Sequence, residues 1–265
     1  MAIFSRRVNP EKLMDWQAKA SAVGTTDPVK AHEDDSLAKA IELMQFFGFR
    51  RLPIVAKGGE LRGIITTTDV LELLAAGKRM DTPVQEVMNS ALFIDHWSSL
   101  YRSLAAFHRL RKGGYPVVRN DVLKGMLTDF DIMKRIERPL GISVSAAMTP
   151  KPVVVGEHES LLHASFMMAR GFRRLPVVQK GILVGIITPH DVISALHGGR
   201  DSLRKSGKVV GDVMARDVIV VSPDVDVYEA IRLMKSARLG GLPVAEDREL
   251  FGIITERDIV NLLRP

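Results

Sequence analysis

The chain of 265 residues has no cysteine, and that absence excludes disulfides, thiolate metal centres and a cysteine nucleophile together. Asparagine and glutamine are also scarce, at four each, a thin supply of heat-labile side chains that points toward a thermophilic source. No apolar run approaches the roughly 18 to 20 residues that span a bilayer. The N-terminal "MAIFSRRVNPEKLMDW" lacks the continuous apolar stretch of a signal peptide, so a cytoplasmic location is expected. The seven histidines are scattered without metal-ligand spacing. There is no Walker loop, no pair of histidines on a helix face and no nucleophile elbow. Lacking a catalytic set, the protein is expected not to be an enzyme and to require no cofactor or metal.

What the chain does have is 46% apolar residues, enough to bury a proper core in one large domain or two ordinary ones. The formal net charge is +6, and its distribution matters more than its sum. Residues 100–139 hold nine Lys or Arg against four Asp or Glu, nearly the whole excess in one stretch. A single basic locus suits a phosphate site better than a coat for long nucleic acid. The plainer alternative is a solvated basic surface.

Repetition is the strongest signal. "GFRRLPIV" at 48–55 recurs as "GFRRLPVV" at 171–178, and "GGYPVV" at 113–118 and "GGLPVA" at 240–245 place a proline before the same kind of apolar run. Nine or ten residues after each proline comes a second phrase: "GIITTTDV" at 63–70, "GMLTDFDI" at 125–132, "GIITPHDV" at 185–192 and "GIITERDI" at 252–259. The shared aspartates, Asp69, Asp131, Asp191 and Asp258, stand 62, 60 and 67 residues apart. A unit of about 60 residues therefore occurs four times.

Pattern orders the elements within a unit. A short β-branched run opens it, as "LFI", "PVVV" and "VIVV" in the last three units and more weakly as "PVKA" in the first. A hydroxyl or acid then leads an amphipathic helix: Ser36 before Leu37, Ile41, Met44 and Phe47, and Asp226 before Val227, Ala230, Ile231 and Met234. Glycine at 48, 113, 171 and 240 is expected to stop that helix. Two strands about a polar turn and a second helix follow, so each unit reads β-α-β-β-α. Units one and three share "GFRRLP", while units two and four carry "GG" before the proline, giving an order A-B-A′-B′. A core of about 60 residues is marginal alone, so the helices of A are expected to bury their apolar faces against those of B. Residues 1–141 and 142–265 should then fold separately, divided at "PLGIS", and a chain ending at 200 should aggregate or dimerise. Proteolysis is expected first at 197–208. Residues 1–22, with Phe4, Trp16 and a helix from Pro10 to about Val23, read as an arm packed over the first half.

The Thr-x-x-Asp phrase at a strand-to-helix junction supports two readings. As a cap, the threonine hydroxyl accepts an orphan N–H at the third helical position and the acid meets the positive end of the helix dipole. Pro189, directly after Thr188, fits the first helical position. As a binding site, a helix N-terminus behind a glycine suits an anion, a hydroxyl bonds a phosphate oxygen, and a carboxylate accepts from a ribose diol.

With these phrases in place, residues 23 to 265 resemble four cystathionine-β-synthase (CBS) repeats, forming two tandem pairs of the kind called Bateman modules. Four-repeat chains of this family are similar to the γ regulatory subunit of AMP-activated protein kinase. The resemblance implies an α/β fold with repeats at 23–76 and 84–138 in a module over 23–141, and at 144–197 and 209–265 in a module over 142–265. It implies adenine nucleotide, AMP, ADP or ATP, bound in clefts between paired repeats. Thr66 and Asp69, Thr128 and Asp131, Thr188 and Asp191, and Thr255 and Asp258 would be the phosphate and ribose contacts. Backbone near Leu52, Tyr115, Leu175 and Leu242 would line the adenine pocket. His190 and Arg257 are candidate phosphate bases by position, and alternation would send one each of Arg50/Arg51 and Arg173/Arg174 toward the cleft. In repeat two Asp129 would repel phosphate, with Arg109, Arg111 and Lys112 to compensate. The expected function is a non-catalytic energy-sensing regulator whose partners are an adenine nucleotide, a regulated protein and a second copy of the chain. The alternatives are nucleic-acid binding through the basic surface of repeat two, marked by a steep salt dependence, and a structural partner whose nucleotide sites do not function.

Overall fold

Four times along the chain the same elements form for the same reasons. The computed structural model describes residues 13–110, 112–195 and 207–263. After α1 (Ala20–Val23) and β1 (Thr25–Thr26), the first repeat runs β2 (Ala31–His32), α2 (Leu37–Phe47), β3 (Arg51–Val55), β4 (Leu61–Thr66) and α3 (Thr67–Ala75). The second is β5 (Ile94–Asp95), α4 (Leu100–Leu110), β6 (Gly114–Arg119), β7 (Val122–Thr128) and α5 (Asp129–Met133). Helix α6 (Val144–Ala147) and β8 (Thr149–Pro150) precede the third, α7 (Leu161–Ala169), β9 (Leu175–Gln179), β10 (Ile182–Ile187) and α8 (Pro189–Ala195). The fourth is α9 (Val227–Ala237), β11 (Gly241–Glu246), β12 (Glu249–Thr255) and α10 (Glu256–Leu262). No helix among the described residues is long and apolar enough to cross a membrane.

The expected opening strand is shortest where its sequence looks strongest. Ala31–His32 and Ile94–Asp95 pair in parallel with β3 and β6, whereas "PVVV" and "VIVV" contribute only the single bridges Val155–Val177 and Val221–Val244. One inward residue per repeat, Ala31, Ile94, Val155 or Val221, is buried at each of these pairings. Helix caps follow the sequence more closely. Ser36 accepts from the Lys39 N–H at 3.2 Å, and Gly48 ends α2 in the left-handed conformation at φ +67°. At the end of α9 that conformation falls on Arg238, φ +54°, and not on Gly240.

The chain forms two compact units. One comprises Met1–Pro28, Leu92–Pro152 and Ile219–Pro265; the other comprises Val29–Ala91 and Val153–Val218. Repeats two and four thus share a unit, and repeats one and three share the other. In the second unit α3 packs on α7 and α8 and buries Val70 and Leu71, each such aliphatic side chain contributing about 1.5–3 kcal/mol. In the first unit α5 packs on α10, with Ile132, Met133, Ile259 and Val260 buried between them. The expectation that A helices bury against B helices is corrected: like packs on like. Hydrophobic periodicity marks which helix face is apolar and is silent on which of four similar faces it meets. The division into 23–141 and 142–265 does not coincide with these units.

The segments between repeats pack within these same units. The first helix of each repeat has an orphan N–H that donates to no intrahelical carbonyl, and it is met by a carbonyl from a segment between repeats. Leu37 N–H donates to Thr82, Leu100 to Ala18, Leu161 to Lys208 and Val227 to Ile142, at 2.8–2.9 Å. Asp226 adds to the last of these, its carboxylate accepting from the N–H groups of Leu140, Gly141 and Ile142. The "PLGIS" segment is therefore clamped to repeat four. Residues 13–19 form turns, the helix expected from Pro10 is limited to α1 among the described residues, and Phe4 lies outside them. Trp16, 7% exposed, sits in the core of the first unit with Phe107 and Tyr115. Most of 197–208 also lies outside the described residues.

Candidate functional site

At every Thr-x-x-Asp phrase one carboxylate oxygen closes a clasp. Oδ2 accepts from both the backbone N–H and the hydroxyl of the threonine, at 2.7 and 2.7 Å for Asp69, 2.9 and 2.6 Å for Asp131, 2.8 and 2.7 Å for Asp191, and 2.8 and 2.6 Å for Asp258. Thr66, Thr128 and Thr255 accept in return from the aspartate N–H, completing a capping box. The capping role is thus built in. It also commits the hydroxyl proton to the carboxylate, so these threonines present a lone pair outward, and donation to a phosphate would require the hydroxyl to turn.

What differs among repeats is the outer oxygen, Oδ1. On Asp69 it accepts from Asn89 Nδ2 at 3.0 Å, and on Asp258 from the Thr149 hydroxyl at 3.4 Å. On Asp131 it is held by Lys134 Nζ at 2.7 Å, in a pair whose carboxylate is 6% exposed. On Asp191 it has no partner among the described residues. The reason lies in the segment that crosses each sheet: Asn89, Thr149, Ala215 and Thr25 occupy equivalent positions, opposite Ile64, Ile253, Ile186 and Met126. Ala215 has no polar group to offer Asp191.

Sequence reasoning missed this segment, although its signal is present as Met88, Met148 and Met214 directly before Asn89, Thr149 and Ala215. The glycine of each phrase serves it. A Cβ on Gly63 would stand 2.6 Å from Met88 Sδ and 2.8 Å from the Asn89 carbonyl, and one on Gly125 would stand 2.7 Å from the Thr25 carbonyl. The glycine admits the crossing strand rather than an anion.

Leu52, Tyr115, Leu175 and Leu242 are core residues, each at most 1% exposed. Tyr115 donates its hydroxyl to the Ala106 carbonyl and packs edge-on against Phe107. Their backbones remain of interest because the short opening strand reaches only Ile54, Val117, Val177 and Val244. On that side residues 51–53, 114–116, 175 and 241–242 meet no strand among the described residues. Pro53, Pro116, Pro176 and Pro243 fit such an edge, having no N–H to donate.

The basic candidates are placed less simply. Arg50, Arg51, Arg173 and Arg174 are all half-buried, so alternation does not send one of each pair to solvent. His190 is half-buried in the first turn of α8, Arg109 and Lys112 are exposed, and Arg111 lies outside the described residues. Arg257, expected at a phosphate, instead donates from Nε to Asp129 at 2.9 Å and from Nη1 to the Phe107 carbonyl at 3.2 Å. Asp129 is fully buried, so its charge faces Arg257 across the α5–α10 contact and not an incoming phosphate. Burial pushes the Asp258 carboxyl above the usual range, against the bonds from Thr255 and Thr149 and the charge of Arg257.

A profile of the CBS domain matches residues 20–76, 98–138, 144–198 and 210–265. Protein MJ1225 of Methanocaldococcus jannaschii is 27% identical over 262 residues, spanning 88% of this chain and 94% of that one. Its crystal structure, described as that of a proposed archaeal homologue of γ-AMPK, matches with a TM-score of 0.84 at 24% identity, over 92% of this chain and 99% of that one. A protein from Pyrococcus horikoshii matches with a TM-score of 0.62 at 23% identity, over 92% of this chain and 99% of that one. A shorter neighbour, CBSX2, solved in complex with AMP, covers 46% of this chain and 95% of its own at 30% identity and a TM-score of 0.41.

Proposed function

The chain belongs to the CBS-domain family, with four domains in one polypeptide, and on that premise we propose that it is a regulator that binds adenine nucleotide at its Thr-x-x-Asp clasps without transforming it. One observation carries the reading: each clasp turns one carboxylate oxygen inward, leaving the other to accept from a ribose diol wherever no neighbour takes it. By this criterion the Asp191 clasp is the most open. Asp258 follows, since its contact from Thr149 at 3.4 Å is weak, and Asp69 must displace Asn89. The Asp131 clasp is closed by Lys134. The open backbone edges at residues 51–53, 175 and 241–242 supply the groups that would read the adenine, and His190 would stand beside phosphate at the third clasp. A nucleotide that orders these edges shifts the equilibrium between arrangements of the chain, and a partner protein reads the difference.

Calorimetry with AMP, ADP, ATP and S-adenosylmethionine tests the proposal. We expect at least one to bind, with fewer than four sites filled. Asp191→Asn keeps an acceptor for the Thr188 N–H but replaces the outer oxygen with a donor, and should remove one site or cost it about 1–3 kcal/mol, with little change in melting temperature. No heat from any of the four ligands at millimolar concentration overturns the reading. A lowered melting temperature with unchanged affinity for Asp191→Asn reduces the clasp to a helix cap.

A further inference from the structure

Three residues far apart in sequence meet on an exposed face of the second repeat. Trp97, in the turn before α4, is 52% exposed. Lys19 Nζ lies 4.2 Å from its ring centroid and Arg119 Cζ lies 5.2 Å from it. The ring of His96 packs edge-on against the indole at 4.7 Å. Backbone pairing brings the two cations there: Lys19 bridges Ser99, and Arg119 ends β6 opposite Val122. Neither cation is paired with a carboxylate among the described residues. Asp95, the nearest acid in sequence, turns an oxygen onto the Trp97 N–H at 2.8 Å. Tyr101, 48% exposed, and Arg102 continue the outward face along α4.

Two like charges gathered on one solvent-facing indole are held by the ring's negative π face, and they repel one another until an anion comes between them. The surface has no walls and no clasp of the Thr-x-x-Asp kind, so it is unsuited to enclosing a free nucleotide. It does have a stacking plane and two flanking cations. We propose that this face binds single-stranded nucleic acid, with a base stacked on Trp97 and Lys19 and Arg119 on the adjoining phosphates. Base stacking on an aromatic ring is stronger than an exposed cation–π contact. A base therefore displaces the cations from the ring and leaves them beside it, where the phosphates lie.

Tryptophan fluorescence of the full chain isolates the event, because the second tryptophan, Trp16, is only 7% exposed. A short oligodeoxythymidine should quench the emission, with affinity falling as salt rises at a logarithmic slope of about −1.4, the value for two phosphate contacts on a single strand. Trp97→Ala should weaken binding about tenfold or more, Trp97→Phe should retain most of it, and Lys19→Ala with Arg119→Ala should flatten the slope. Melting temperatures of the variants separate lost contact from lost fold. The proposal fails if the oligonucleotide does not bind, if inorganic polyphosphate or duplex DNA binds equally well, or if Trp97→Phe and Trp97→Ala both bind like the natural chain. Displacement by AMP would also overturn it, by placing the strand in a nucleotide clasp.

Discussion

An aspartate directly after a capping threonine looks like an obstacle to phosphate, yet in this protein it holds two helices together. Asp129 is buried and takes Arg257 Nε at 2.9 Å across the contact of α5 with α10. A buried pair of this kind stabilises less than its geometry suggests, because two charges have been taken out of water, but removing one partner leaves the other uncompensated. Arg257→Ala should therefore cost about 3–5 kcal/mol of stability in urea denaturation, while Asp129→Leu combined with Arg257→Met should cost far less. Near-equal losses for the single and double changes would show that the pair does not act as a unit. Asp258 is a half-buried carboxyl, raised above the ordinary value chiefly by desolvation. A raised carboxyl binds its proton more tightly in the folded than in the unfolded chain, so its contribution to stability is complete below the unfolded pKa and is lost as pH rises through the folded one. Relative to the natural chain, Asp258→Asn should accordingly gain stability as pH is raised through that window and then level off, as measured by denaturation at a series of pH values.

At the scale of elements, the crossing segments decide what each sheet can do. Each enters over a glycine and pairs with the strand that carries the clasp, and Asn89 and Thr149 each reach the clasp aspartate with a side chain. A Cβ on Gly185 would lie 2.5 Å from Met214 Sδ and 3.0 Å from the Ala215 carbonyl. Backbone cannot yield as a side chain tip can, so Gly185→Ala should cost about 1–3 kcal/mol and disturb the Asp191 clasp with it. Gly48→Ala provides the contrast. Its Cβ would meet nothing within 4 Å, and the left-handed φ of +67° alone should cost about 1–2 kcal/mol. Thermal melts of the two variants, with nucleotide titration of each, check both: only Gly185→Ala should alter ligand affinity.

At the scale of the whole chain, the repeats are joined through their helix faces. These faces join repeat one with three and two with four, and the segments between repeats pack within the same units. A cut at 141 destroys these contacts, stripping α3 of α7 and α5 of α10. Residues 1–141 expressed alone should therefore self-associate, one copy supplying the helix faces the other lacks, and sedimentation should give a dimer or larger species. A stable monomer would mean that a repeat can form its core without the helix face of its like.

How much of this was legible in the sequence follows from the range of the forces involved. Repeat number, the β-α-β-β-α order, the cap at Ser36 and the Thr-x-x-Asp junctions rest on hydrogen bonds within a few residues and on periodicities of two and 3.6, and these are written locally. The clasp at Asp69, Asp131, Asp191 and Asp258 was readable for the same reason. Which clasp is open was not, because the outer oxygen is claimed by Asn89 or Thr149 from a crossing segment and by Lys134 from the next turn, and left alone by Ala215. Nor was the fate of Arg257, whose partner lies 128 positions away. The sequence by itself determined the repeated unit and its local chemistry. Only the tertiary structure decided the pairing of like repeats, because an amphipathic helix specifies an apolar face while the choice among four similar faces depends on charges and shapes that meet across the fold.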